Sequence, residues 1–109
     1  MPRKPAIPNE VRTEVERIIT DFNRRTFRNS GIAYSAHYRG KHLYLKRNEY
    51  GKPIPICCLT YTGDMNRWEF AIFKYTDERY ADHEMFPGMG EVDGTVEGAM
   101  RAGLEAYQV

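Results

Sequence analysis

The sequence predicts one α+β domain of two layers, in the order α-β-β-β-β-α: a four-stranded antiparallel meander with two helices on one face. Three features lead there. Val11, Val15, Ile18, Ile19 and Phe22 form one apolar stripe at helical spacing. Residues 67–75 hold the densest run of large apolar side chains, with no glycine or proline inside, and read as a central strand. A second helical pattern, residues 95–107, follows the strands and again has a single apolar face.

Chain length and composition fit this class. A chain of 109 residues is long enough for one domain with its own core, without metal or disulfide support. Cys57 and Cys58 are adjacent and point to opposite faces of a strand, so they are no disulfide framework, and a reducing compartment is expected. The start, Met1-Pro2-Arg3-Lys4-Pro5, has no apolar secretory core, and no stretch is long and apolar enough to span a bilayer. The expectation is a soluble cytoplasmic protein that does not enter membranes. Its net charge of +1 conceals an asymmetry of +7 over residues 1–60 and −6 over residues 61–109. Either the basic half meets an anionic partner, or the halves neutralise each other.

Residues 1–8 hold Pro2, Pro5 and Pro8 and form a flexible basic arm ahead of a domain spanning 9–109. Asn9 caps the first helix, which frays near residues 26–29, because Phe27 falls off the apolar stripe. Residues 32–47 make a hairpin around Arg39-Gly40, with His37 opposite His42, Ala36 opposite Leu43 and Tyr34 opposite Leu45. Ile32, Tyr34, Ala36, Leu43 and Leu45 then share one face. Ser35, His37, His42, Tyr44 and Lys46 share the other. Pro53 and Pro55 delay the third strand to residues 56–61, and a loop over 62–66 leads to the central strand. Pairing Tyr61 with Arg67 puts Ile56, Cys58 and Thr60 on the face of Trp68, Phe70 and Ile72. Residues 76–92 lack periodicity, are acidic and allow one helical turn at 78–84. Asp93 caps the last helix, where Gly98 and Gly103 point to close backbone approach.

Chemistry is sparse. A His37–His42 pair lacks the third ligand a metal site needs, so no metal or other cofactor is expected. His83 between Asp82 and Glu84 has no partners for base catalysis, and mid-strand cysteines are inert thiols. No phosphate-binding loop, nucleophile elbow or zinc-protease sequence occurs, and a non-enzymatic protein is expected.

The series Trp68-Glu69-Phe70-Ala71-Ile72, Tyr80, Phe86-Pro87-Gly88 and Asp93-Gly94-Thr95-Val96-Glu97-Gly98-Ala99 resembles a family of small uncharacterised prokaryotic proteins, a domain of unknown function. The resemblance covers the C-terminal half and implies neither activity nor ligand. The element order is also similar to that of the double-stranded-RNA-binding domain. That family's basic second-helix start is replaced here by Asp93-Gly94-Thr95-Val96-Glu97.

With both helices on one face, the reverse of the sheet is expected to present Tyr44, Tyr61 and Phe73 among Lys41, Lys46 and Arg47. Aromatics interleaved with cations stack single-stranded bases and neutralise phosphates. The expected partner is single-stranded nucleic acid or another polyanion, such as an acidic protein. The alternative is a protein-interaction module or homodimer using that face or the 76–92 loop.

Overall fold

A computed structural model describes residues 6–28, 30–82 and 85–108. The elements are α1 (Asn9–Phe27), β1 (Ile32–Arg39), β2 (His42–Glu49), β3 (Lys52–Thr60), β4 (Glu69–Lys74), β5 (Arg79–Ala81) and α2 (Val96–Ala106), with a 3-10 turn at Met89–Glu91. The fold is α+β, as expected. The sheet is an antiparallel meander in the order β1-β2-β3-β4-β5, so it has five strands where four were predicted. The extra strand pairs Lys74 with Arg79, Phe73 with Tyr80 and Ile72 with Ala81. Three residues are too few for a period-two signal, which is why this strand sat hidden in the aperiodic segment.

Both helices pack on one face. Tyr34 and Tyr38 lie four residues apart on β1 and therefore point the same way. The Tyr34 hydroxyl donates to the Met100 carbonyl of α2 at 2.9 Å. The Tyr38 hydroxyl donates to Glu16 of α1 at 2.5 Å. Between them lies the core: Val15, Ile19 and Phe22 from α1, Leu43 and Leu45 from β2, Cys57 and Leu59 from β3, and Val96, Ala99 and Met100 from α2. Leu43, Leu45 and Ile56 are completely buried, worth about 1.5–3 kcal/mol each.

Several boundaries shift for local reasons. Pro8, not Asn9, is the N-cap residue of α1, and it offers no side-chain bond. Phe27 is buried rather than frayed, because the chain turns back at once and sets its ring 6.0 Å from that of Tyr34. Of the predicted arm, residues 1–5 lie outside the described residues. Ile7 is buried, and its amide donates to Gly40 at 3.1 Å.

The first hairpin turns at Gly40-Lys41, so Arg39 pairs with His42, His37 with Tyr44 and Ala36 with Leu45. Moving the turn by one residue moved the pairing by two, which preserved the predicted faces but separated His37 from His42. β3 begins at Lys52, earlier than the prolines suggested. β4 reaches only Cys57–Thr60, so Pro53 and Pro55 have a strand neighbour on the β2 side alone and no ladder donor is missed. The Tyr75 hydroxyl donates to the Pro55 carbonyl on the other side at 2.7 Å.

The β3–β4 register differs by one residue from that expected: Cys57 opposes Ile72, and Leu59 opposes Phe70. Cys57, Leu59, Phe70 and Ile72 thus share the helix-covered face, while Cys58 and Thr60 face away. A bulge between Leu45 and Lys46 leaves Ile56 without a partner on β2, and Ile56 packs into the core beside Cys57.

At the N-terminus of α2, Thr95 is the cap and accepts from the Gly98 amide at 2.9 Å. Asp93, the predicted cap, instead accepts from the Thr95 amide at 3.0 Å. The close approach expected at the glycines is present. A Cβ on Gly103 would stand 2.6 Å from both Ile56 Cγ2 and Tyr34 Oη. The edge of β1 is met by α1: Asn23 donates to the Tyr34 carbonyl at 2.9 Å and accepts from the Tyr34 amide at 2.8 Å.

Candidate functional site

The face opposite the helices follows from strand alternation. It carries Ser35, His37 and Arg39 of β1, His42, Tyr44 and Lys46 of β2, and Cys58 and Thr60 of β3. From β4 and β5 come Glu69, Ala71, Phe73 and Tyr80. Neither α1 nor α2 covers this face.

A row of rings crosses it. His37 and His42 lie 6.4 and 6.1 Å from Tyr44, and Tyr44 lies 5.4 Å from Tyr80. Tyr80 is 5.0 Å from Phe73, which is 4.9 Å from Tyr75. Tyr44, Phe73 and Tyr80 are half-buried against one another and leave ring surface exposed. Their mutual burial pushes the Tyr80 hydroxyl up to about 12 and raises that of Tyr44, where the Arg39 charge opposes the shift.

Beside this row the side chains become small. Cys58 opposes Ala71, and Thr60 opposes Glu69. The result is a hollow of about 280 Å³ floored by Cys58, Thr60 and Ala71 and walled by His42 and Tyr80, with Glu69 and Asp82 at its rim. A His42 ring nitrogen lies 3.1 Å from Thr60 Oγ1 and 3.9 Å from Cys58 Sγ. Burial pushes the Cys58 thiol up to about 11, so it is neutral and a poor nucleophile near pH 7. Cys57 is fully buried under the helices, and its thiol is raised further. Among the described residues no three His, Cys, Asp or Glu side chains are grouped to hold a metal ion. His83 and Glu84 lie outside the described residues.

Four of the six predicted binding residues sit together. Tyr44, Phe73 and Lys46 are on the uncovered face, and Lys41 is in the hairpin turn at its end. Two do not join them. Arg47 continues the Leu43–Leu45 side of β2 and is only 2% exposed. It donates to Glu49 at 2.8 Å and to the Tyr107 carbonyl, closing the C-terminal end of α2. Tyr61 lies on the helix side, its ring 5.1 Å from that of Trp68. Parity along β2 already carried the first fact, since Arg47 is even-spaced from two leucines. Tyr61 shares a face with Cys57 and Leu59, and the β3–β4 register decides which face that is. Tyr80 and Arg39 are the members that sequence reasoning missed. Tyr80 belongs to the unrecognised fifth strand, and Arg39 was assigned to the turn.

Charge on the face is graded. Arg39, Lys41 and Lys46 stand on the β1–β2 side, and Glu69 and Asp82 on the β4–β5 side. No helix among the described residues is long and apolar enough to cross a membrane. Comparison of the chain with protein-family models, curated proteins and solved structures finds no match.

Proposed function

We propose that the uncovered sheet face binds single-stranded nucleic acid, weakly and without catalysis, in the reducing interior of a cell. The observation that carries this reading is the continuous row Tyr44–Tyr80–Phe73 on a sheet whose helices all lie behind it. Every base has a π face, so exposed rings at strand spacing offer stacking with little sequence demand. Arg39, Lys41 and Lys46 supply the phosphate term along the β1–β2 side. Arg47 and Tyr61 have no part in it.

Titration with short single-stranded oligonucleotides at low and high salt tests the reading. Affinity should fall as salt rises, by about 0.7 logarithmic unit per decade for each neutralised phosphate. Lys46→Ala should reduce that slope by about one contact. Tyr44→Ala should weaken binding by about 1–3 kcal/mol, the worth of one stacked base. Absence of binding at low salt would refute it.

The charge grading favours a second reading, a homodimer through the same face. A two-fold axis could set the Arg39–Lys46 side of one copy against the Glu69–Asp82 side of the other. Sedimentation decides this, since a strict monomer at high concentration removes it.

A further inference from the structure

The hollow beside the ring row has a chemistry that phosphate cannot satisfy. Glu69 and Asp82 stand at its rim, both exposed, and a carboxylate near neutral pH only accepts hydrogen bonds. Such a rim repels the nucleic-acid backbone and attracts a donor. Cys58, Thr60 and Ala71 line the hollow with small side chains, and the Tyr80 ring lines it beside them. A planar ring laid against Tyr80 would therefore bring its edge to the two carboxylates. Meanwhile Arg39 and Lys46, on the β1–β2 side, would hold the strand's phosphates away from them.

We infer that this hollow reads one base of the bound strand and selects bases bearing an exocyclic amino group, cytosine above all, through acceptance by Glu69 and Asp82. The inference rests on the nucleic-acid reading above and adds base preference to it. Cytosine offers its N4 amino group to such a carboxylate, whereas uracil presents a carbonyl oxygen at the same position and would set acceptor against acceptor. The two bases have nearly the same size and stack alike, so the difference isolates the edge contact.

The test compares short oligodeoxycytidine with oligodeoxyuridine of equal length, near neutral pH and at low salt, by fluorescence anisotropy. The expected result is a preference for cytosine of about fivefold or more, the lower end for a good base-edge contact because Glu69 is exposed. Glu69→Ala should shrink the preference severalfold while leaving uracil binding equal or tighter. Asp82→Ala provides the same test independently, and circular dichroism confirms that each variant is folded. Equal affinity of the native protein for both oligomers overturns the base preference and leaves general strand binding standing. A preference that survives both substitutions overturns the assignment to the carboxylates. Failure of both oligomers to bind overturns this inference together with the reading beneath it.

Discussion

Replacing Arg47 by methionine removes a guanidinium that is 2% exposed and bonded on every side. Its Nε donates to Glu49 at 2.8 Å, and its Nη2 donates to the Tyr107 carbonyl. Nη1 makes longer contacts, 3.4 Å to Tyr34 Oη and 3.5 Å to the Gly103 carbonyl. Bonds to a charged donor contribute about 1.5–3 kcal/mol each, and the long pair contributes less. Glu49 retains 23% side-chain exposure, so water compensates part of its loss. Methionine also regains apolar contact in the same space. The net expectation is about 3 kcal/mol of destabilisation, at the lower bound for breaking a buried charge pair. With a urea slope of about 1.5 kcal/mol/M, the midpoint should fall by about 2 M. Trp68, the one tryptophan, is 4% exposed and reports the transition by fluorescence. Arg47→Lys should lose less, since one ammonium keeps the charge but cannot serve Glu49 and Tyr107 together. An unchanged midpoint for the methionine variant would refute the structural role. So would lost oligonucleotide binding in a variant still fully folded, because Arg47 points away from the binding face.

The two thiols predict an alkaline limit. Cys58 titrates at about 11 in the folded chain against 9.0 ordinarily, and Cys57 is also raised. The native state then holds more protons than the unfolded state above pH 9, so stability is intact below that point and declines as pH rises through about 11. Urea midpoints across that range should fall, and less steeply for Cys57→Ala. A thiol reagent near pH 7 should label Cys58 slowly and Cys57 only once urea unfolds the chain. Gly103→Ala gains about 1 kcal/mol in helix propensity but drives a methyl to 2.6 Å from Ile56 Cγ2 and Tyr34 Oη. Overpacking should win, with a net loss of about 1–2 kcal/mol by urea denaturation; a more stable variant would mean that α2 can move off the sheet. Thr95→Ala removes the acceptor for Gly98 and should cost about 1 kcal/mol in the same assay.

The inner faces of both helices and of the first hairpin were legible because each is long and strongly periodic. The hairpin tolerated a misplaced turn, since a two-residue shift in pairing leaves Tyr34, Ala36, Leu43 and Leu45 facing one way. The β3–β4 pairing had no such tolerance. A one-residue difference moved Tyr61 from the open face to the flank of Trp68. Pro53 misled because a proline is compatible with a strand wherever one neighbour is missing, a matter of sheet layout rather than local sequence. Arg47 was misread by residue type: its position in the alternation placed it with two leucines, and its charge suggested otherwise. The open face itself was legible in part, through Tyr44, Lys46 and Phe73. Its hollow was not, because it arises where Cys58 meets Ala71 across two strands that the sequence separates by a loop.

Asn23 has a consequence for how copies of this chain can meet. Its carboxamide takes both backbone groups of Tyr34 and so acts as one residue of an imitation neighbouring strand. A visiting strand zipping along this margin would have to evict that carboxamide and lift α1 with it. The far margin, three residues of β5, offers a visitor little length to grip. Side-by-side pairing of separate sheets is therefore opposed at Tyr34 on one margin and given only three residues on the other.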